Sequence, residues 1–229
     1  MRVRTIGIED CASIDGPAVV IDVMRAYTVA AWAFERGADR IVLSNSVEEA
    51  LELREALGAI AVNDGLPDGT FDLLNSPDQI SAATLDGRVV VLRTDAGTAG
   101  AIASRHAPML LCTGLATASA TARALVDADI DDVTMVATGG EDDVACADYL
   151  AALLDDRHAD PAPFVARAAA APIVEHLQGF VRQGSAAVGP RDVELCLQVD
   201  RFDFAMRATD EDGLLTLVRI NRPSASGLT

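Results

Sequence analysis

Ala18-Val-Val-Ile-Asp-Val-Met-Arg-Ala-Tyr-Thr-Val29 opens as an apolar run, reaches Asp22, Arg25 and Thr28, and continues into helix-like sequence. Such a run reads as a strand buried on both faces, as in a parallel sheet whose two sides are covered by helices. In open parallel sheets ligands sit outside the carboxyl ends of the strands. A carboxylate and a guanidinium three residues apart at such an end form a common kind of small-ligand site.

The same alternation extends in both directions. Short β-branched runs at 18–22, 40–43, 59–62, 89–92, 109–112 and 133–137 predict strands, and the Ala- and Leu-rich stretches at 26–36, 46–57, 99–105, 117–127 and 142–154 predict helices. Ser46-Val-Glu-Glu49 has the form of a capping box, in which Ser46 and Glu49 satisfy free backbone donors. Strand and helix in alternation predict an α/β fold, a three-layer α/β/α arrangement with a largely parallel or mixed sheet. Past Asp160-Pro-Ala-Pro163 the pattern changes to a helical region over 164–182, with Pro172 as a boundary, followed by a loop at 184–190. Asp210-Glu-Asp-Gly213 predicts the turn of a terminal β-hairpin, and 221–229 reads as a loose tail. The expectation is a single unit over 1–229, with 161–220 as a helical and β-hairpin extension packed on it.

The chain has 229 residues, half of them hydrophobic but only 4% aromatic, so its core is expected to be built from Val, Leu, Ile and Ala. No apolar stretch is long enough to span a bilayer, and the N-terminus lacks the core of a signal peptide. Both point to a cytoplasmic protein with no membrane partner. Cys11, Cys112, Cys146 and Cys196 form no CxxC pair, so free thiols are expected. A formal charge of −17 argues against nucleic acid, whose phosphates require Lys and Arg clusters. It also means that an anionic substrate needs a metal ion, arginines or helix N-termini to be held.

Four strand ends would share one rim if the sheet were parallel. They are Asp22 to Thr28, Arg93 to Thr98, Cys112 to Ser119, and Thr138 to Asp143. Thr98, Thr117 and Asp142 suit plain N-caps equally well, and Gly97 and Gly139-Gly140 suit ordinary turns. Asp22, Glu141, Asp142 and Asp143 are candidate ligands for Mg2+, which takes one or two protein carboxylates and keeps several waters. The loop Asn63-Asp-Gly-Leu-Pro-Asp-Gly-Thr-Phe-Asp-Leu-Leu-Asn-Ser-Pro77 is long and polar; Asn75 and Ser76 there offer donors to a ligand or cap a short helix. His106, His158 and His176 fall outside this rim. No GxGxxG, GxxxxGK[ST] or GxSxG motif occurs.

These segments, in this order, resemble the 2-phosphosulfolactate phosphatase family. Its D-V-L-R-A-T-T-T pattern is similar to Asp22-Val-Met-Arg-Ala-Tyr-Thr-Val29, and its F-D-L-G-N-S-P loop to Phe71-Asp-Leu-Leu-Asn-Ser-Pro77. Its T-T-N-G-T turn looks like Thr94-Asp-Ala-Gly-Thr98, and its E-D-x-x-C-A-G segment like the stretch from Asp142 to Asp148. Its late D-I-x-x-C-L-x-x-D pattern is echoed from Asp192 to Asp200. The resemblance implies a Mg2+-dependent phosphatase that takes a small phosphorylated acid on the route to coenzyme M. It carries over Asp22, Arg25, Asn75, Ser76, Gly97, Thr98 and Asp143 as site positions. On residue chemistry, Asp22, Arg25 and Asp143 are the expected catalytic set. Thr28, Asn75, Ser76, Thr94, Gly97 and Thr98 are the expected substrate contacts.

Two departures stand out. The family's G-E-R-N-G is Val62-Asn-Asp-Gly65 here, and the asparagine of T-T-N-G-T is Ala96 beside Asp95. A cation is lost and two carboxylates are gained. A non-catalytic binder of small anions on the same scaffold is the alternative. A homodimer is expected on the general prevalence of C2 pairs.

Overall fold

The computed structural model describes residues 1–65 and 67–221; the tail at 222–229 lies outside the described residues. The first half runs β1 (Arg2–Ile6), β2 (Ala18–Ile21), α1 (Ala26–Glu35), β3 (Arg40–Ser44), α2 (Val47–Leu57), β4 (Ile60–Asn63), β5 (Leu73–Leu74) and α3 (Pro77–Ala82). There follow β6 (Val89–Arg93), α4 (Gly97–Ala103), β7 (Leu110–Thr113), α5 (Ala118–Asp127), β8 (Asp132–Ala137) and α6 (Glu141–Asp155). The chain continues with α7 (Ala162–Ala169), α8 (Pro172–Arg182), α9 (Asp192–Cys196), β9 (Phe204–Glu211) and β10 (Leu214–Asn221). The fold is α/β, as expected, and its sheet is mixed.

Among the described residues ten strands form one sheet in the order β1-β8-β2-β7-β9-β10-β3-β6-β4-β5. β1, β8, β2 and β7 are mutually parallel, as are β3, β6, β4 and β5. The β9–β10 hairpin joins the two groups through antiparallel pairings with β7 and β3. Residues 161–220 are therefore not an extension packed onto a finished unit, because their hairpin is the middle of the sheet. Its turn is Asp212-Gly213, both at positive φ, the conformation that matches the twist of a two-residue hairpin. Three antiparallel pairings in succession also make the two parallel groups run in opposite senses, so the strand ends do not share one rim by simple parallelism.

The ends of β2, β4 and β6 nevertheless meet, because both groups wrap the same helices. Val20, Ile41, Val62, Leu92, Cys112 and Met206 point to one face of the sheet and pack with α1, α3 and α4. On the other face, Val19, Ile21, Leu111 and Met135 meet α5 and α6, and Val42 and Val91 meet α2. Each fully buried aliphatic side chain stabilises by roughly 1.5–3 kcal/mol, so strands covered on both faces carry most of the core. All four cysteines are buried and free.

Two elements escaped the sequence pattern. β1 is an edge strand with an exposed, arginine-bearing face, where Arg2 pairs with Asp132 and Arg4 Nε donates to Thr134 at 2.9 Å. Charges of this kind blunt edge pairing and hide the hydrophobic alternation. β5 is only two residues long. Ser46 caps α2 by accepting from the Glu49 N–H at 3.1 Å, but Glu49 reaches the N–H of Asn45, one residue earlier than a capping box requires. Among the described residues no helix is long and apolar enough to cross a membrane.

Candidate active site

Asp22 follows β2 directly, and its Oδ1 accepts from the Ala26 N–H at 3.0 Å, which anchors the first turn of α1. The side chain is 5% exposed. Burial pushes its carboxyl up to about 7, and the charges of Asp142 and Asp64 add to this, while the Ala26 N–H and Arg25 pull it down. Gly97 makes room for it. A Cβ at Gly97 would lie 2.6 Å from Asp22 Oδ2 and 2.6 Å from the Ala26 Cβ. The Tyr27 hydroxyl donates to the Gly97 carbonyl at 2.7 Å and ties α1 to the turn after β6.

The first turn of α6 brings in two more buried carboxylates, at a helix N-terminus that favours negative charge. Asp143 accepts from the Val23 N–H at 2.8 Å and the Gly139 N–H at 2.7 Å, which stitches the β2–α1 turn to the β8–α6 turn. Burial, reinforced by Asp22 and Asp142, pushes the Asp143 carboxyl well above the usual carboxylate range. Asp142 is also raised, again chiefly by burial. Its Oδ1 is buried and has no hydrogen-bond partner among the described residues. Glu141, expected alongside them, turns outward to Arg167 at 2.6 Å.

Arg25, which follows a cis Met24–Arg25 peptide bond, is buried but already engaged. Nη1 donates to the Ala187 carbonyl and to Asp192 Oδ2, each at 2.9 Å, and Nη2 meets Asp64 Oδ1 at 3.1 Å. Asp192 is fully buried and accepts four bonds. Besides Arg25 these come from Ser76 Oγ at 2.7 Å, the Asp78 N–H at 3.0 Å and the Gly189 N–H at 2.9 Å. A carboxylate that saturated locks α3, α9 and the loop at 184–190 onto Arg25.

The hydroxyls expected to meet substrate are largely bonded to their own turns. Thr28 Oγ1 donates to the Val23 carbonyl at 2.9 Å. Thr98 Oγ1 donates to the Thr94 carbonyl at 2.6 Å, and Thr94 Oγ1 accepts from the Thr98 N–H at 3.0 Å. Ser76 caps α3 as well as holding Asp192. At the Thr113 to Ser119 end the hydroxyls of Thr113, Thr117 and Thr121 bond to one another and Ser119 donates to Asp200, while Gly114 backs onto Asp22 and Thr28. Asn75 differs: its Oδ1 is buried without a partner among the described residues, as is that of Asn63, whose backbone carbonyl accepts from the Asn75 N–H at 2.8 Å.

The structure thus brings Asp22, Arg25, Gly97, Asp142 and Asp143 together, and adds Asp64, Asn63, Tyr27 and Asp192. Asp192 lies far along the chain, and only the late aspartate-cysteine pattern pointed towards it. Among the described residues no three His, Cys, Asp or Glu side chains converge as a ready chelating group.

The family model for 2-phosphosulpholactate phosphatase matches residues 7–211. The chain belongs to that family. With it the chain joins the phosphoric monoester hydrolases. A protein of Bacillus subtilis (strain 168) named probable 2-phosphosulfolactate phosphatase is 26% identical over 215 residues, 88% of this chain and 91% of the relative. Relatives of the same name from Deinococcus radiodurans and Thermus thermophilus are 35% identical over 168 residues and 36% over 161. These matches cover 68% of this chain and 70% of the relative in the first case, and 67% and 68% in the second. Within this family member, Gly97→Ala is expected to displace the Asp22 carboxylate. It should cost about 1–3 kcal/mol of stability through overpacking and lower kcat at least tenfold, read by thermal melts and ester hydrolysis.

Proposed function

We propose that this chain is a Mg2+-dependent phosphatase that hydrolyses a small anionic phosphoester, with Asp22 and Asp142 holding the ion. The observation that carries this reading is the buried carboxylate pair. Burial raises both carboxyls, Asp142 Oδ1 lacks a partner among the described residues, and the adjacent cation Arg25 is bonded to Asp64 and Asp192. Buried charge without compensation is costly, and a hard divalent cation with oxygen preference relieves it. Two protein carboxylates, with waters and substrate oxygens completing the shell, suit Mg2+ rather than a protein-only cage.

When bound, such an ion stabilises charge on the phosphoryl oxygens. The side chains supply position. Asp143 holds the two turns at a fixed spacing, and Gly97 leaves Asp22 space to face the ligand. Asn63 and Asn75 present buried acceptors for the hydrogens of water or of a substrate hydroxyl. Phosphoryl transfer depends on such placement and on electrostatics more than on covalent chemistry. The relatives' names make 2-phosphosulfolactate, giving sulfolactate and phosphate, the first ester to assay. The changes at Asp64 and Asp95 support a diverged substrate.

The test is phosphate release from a panel of esters with Mg2+ and with EDTA. Mg2+-dependent turnover of at least one ester is expected, together with a rise of several degrees in Tm when Mg2+ is added at pH 8. Stabilisation by anions with no turnover of any ester would instead favour the non-catalytic binder.

A further inference from the structure

Arg25 is met by oxygens of Asp192, Ala187 and Asp64. Nη1 is taken by Asp192 and the Ala187 carbonyl, and Nη2 by Asp64 at 3.1 Å. A guanidinium recognises a carboxylate, sulfonate or phosphate through paired N–H donors, and Asp64 takes one of those donors, Nη2. Its side chain is 34% exposed, so it projects from the loop after β4 rather than from the core. The charge of Asp64 also reaches Asp22, so it adjoins both the cation and the carboxylate of the site. The end of the neighbouring strand β6 repeats the arrangement, with Asp95 on Arg93 Nη2 at 2.6 Å. Next to these arginines lie the buried acceptors Asn63 Oδ1 and Asn75 Oδ1, which have no partner among the described residues; the one buried donor beside them in the same state is Arg93 Nε. A ligand that satisfies acceptors must bring hydrogens; a second acidic group brings only lone pairs and meets Asp64.

Resting on the phosphatase reading above, we infer that Asp64 is the specificity-determining residue of this site. It occupies the place on Arg25 that a second acidic substituent would need, so the preferred substrate is a phosphate monoester whose other groups are neutral and hydroxylated.

Glycerol 2-phosphate and 2-phosphoglycerate test this cleanly, since they differ only by a hydroxymethyl group in place of a carboxylate. The wild-type protein is expected to favour glycerol 2-phosphate by roughly tenfold or more in kcat/KM. Asp64→Asn, and independently Asp64→Ala, should bring the ratio to about one by raising kcat/KM for 2-phosphoglycerate, a change of about 1.4 kcal/mol for each tenfold. A wild-type preference for 2-phosphoglycerate, or a ratio that neither variant moves, overturns the inference and leaves the phosphatase reading intact. Titration calorimetry with the same two esters separates the two. Hydrolysis of neither, with binding selectivity that Asp64→Asn erases, overturns the phosphatase reading and supports the role of Asp64.

Discussion

Asp22→Asn is expected to abolish Mg2+-dependent ester hydrolysis, by a factor of about a thousand or more, while making the metal-free protein more stable at pH 8. Both effects have one cause. Folding lifts the Asp22 carboxyl to about 7, chiefly by burial, whereas the unfolded chain titrates near the usual carboxylate value of roughly 4. Between those two pH values the folded state holds a proton that the unfolded state has released. Stability from this group is therefore full below about pH 4, falls as pH rises to about 7, and stays low above it. Asparagine keeps the shape and removes the charge, so the variant escapes that loss. The gain at pH 8 in EDTA should be on the order of 2 kcal/mol, or a Tm higher by roughly 5 °C for a chain of this size. At pH 4 the two proteins should melt together. Calorimetric melts at both pH values, run beside phosphate-release assays, check the pair of effects. An inactive variant that is also less stable at pH 8 would show that Asp22 braces the fold and that its burial carries no electrostatic cost.

Asp192→Ala is expected to be the most destabilising single change near the site. Asp192 accepts from Ser76, Asp78, Gly189 and Arg25, and no part of it is exposed. Alanine would leave the Arg25 guanidinium buried beside a void, with Asp64 and one carbonyl as its remaining partners. Breaking a buried pair in this way costs about 3–5 kcal/mol, which should lower the denaturant midpoint clearly with little change in m. Asp192→Asn retains volume and some hydrogen bonds, so it should lose roughly half as much. If both variants unfold at the wild-type midpoint, the Asp192 cluster is not what holds α3 and α9 to the β2–α1 turn. Activity should fall in the same order, since Arg25 and Ser76 are both positioned through this carboxylate.

The legibility of the chain follows from where each signal lives. Runs such as Ala18–Ile21 and Val89–Arg93 announce buried strands because burial on both faces demands continuous apolar side chains. The Asp212-Gly213 turn announces a hairpin because only certain residues accept positive φ. β1 was silent because an edge strand has no hydrophobic face to display. Thr28, Ser76, Thr94 and Thr98 have the right chemistry for a ligand, and a hydroxyl at a strand end reads the same whether it meets substrate or its own backbone. Glu141 and Asp142 are neighbours in sequence, yet one turns to Arg167 and the other into the core. That difference is set by helix rotation and by what packs against each face.

The sequence by itself determined the α/β class and the family, and named Asp22, Arg25 and Thr28 as a strand-end edge, because strand burial and local motifs are written in consecutive residues. Only the tertiary structure decided that the C-terminal hairpin is the centre of the sheet and that Asp192 holds Arg25 from 167 positions away. It also decided that Asp64 meets Nη2 of Arg25. Those are long-range pairings, and a guanidinium three residues from a carboxylate carries no local mark of which distant acid it will meet.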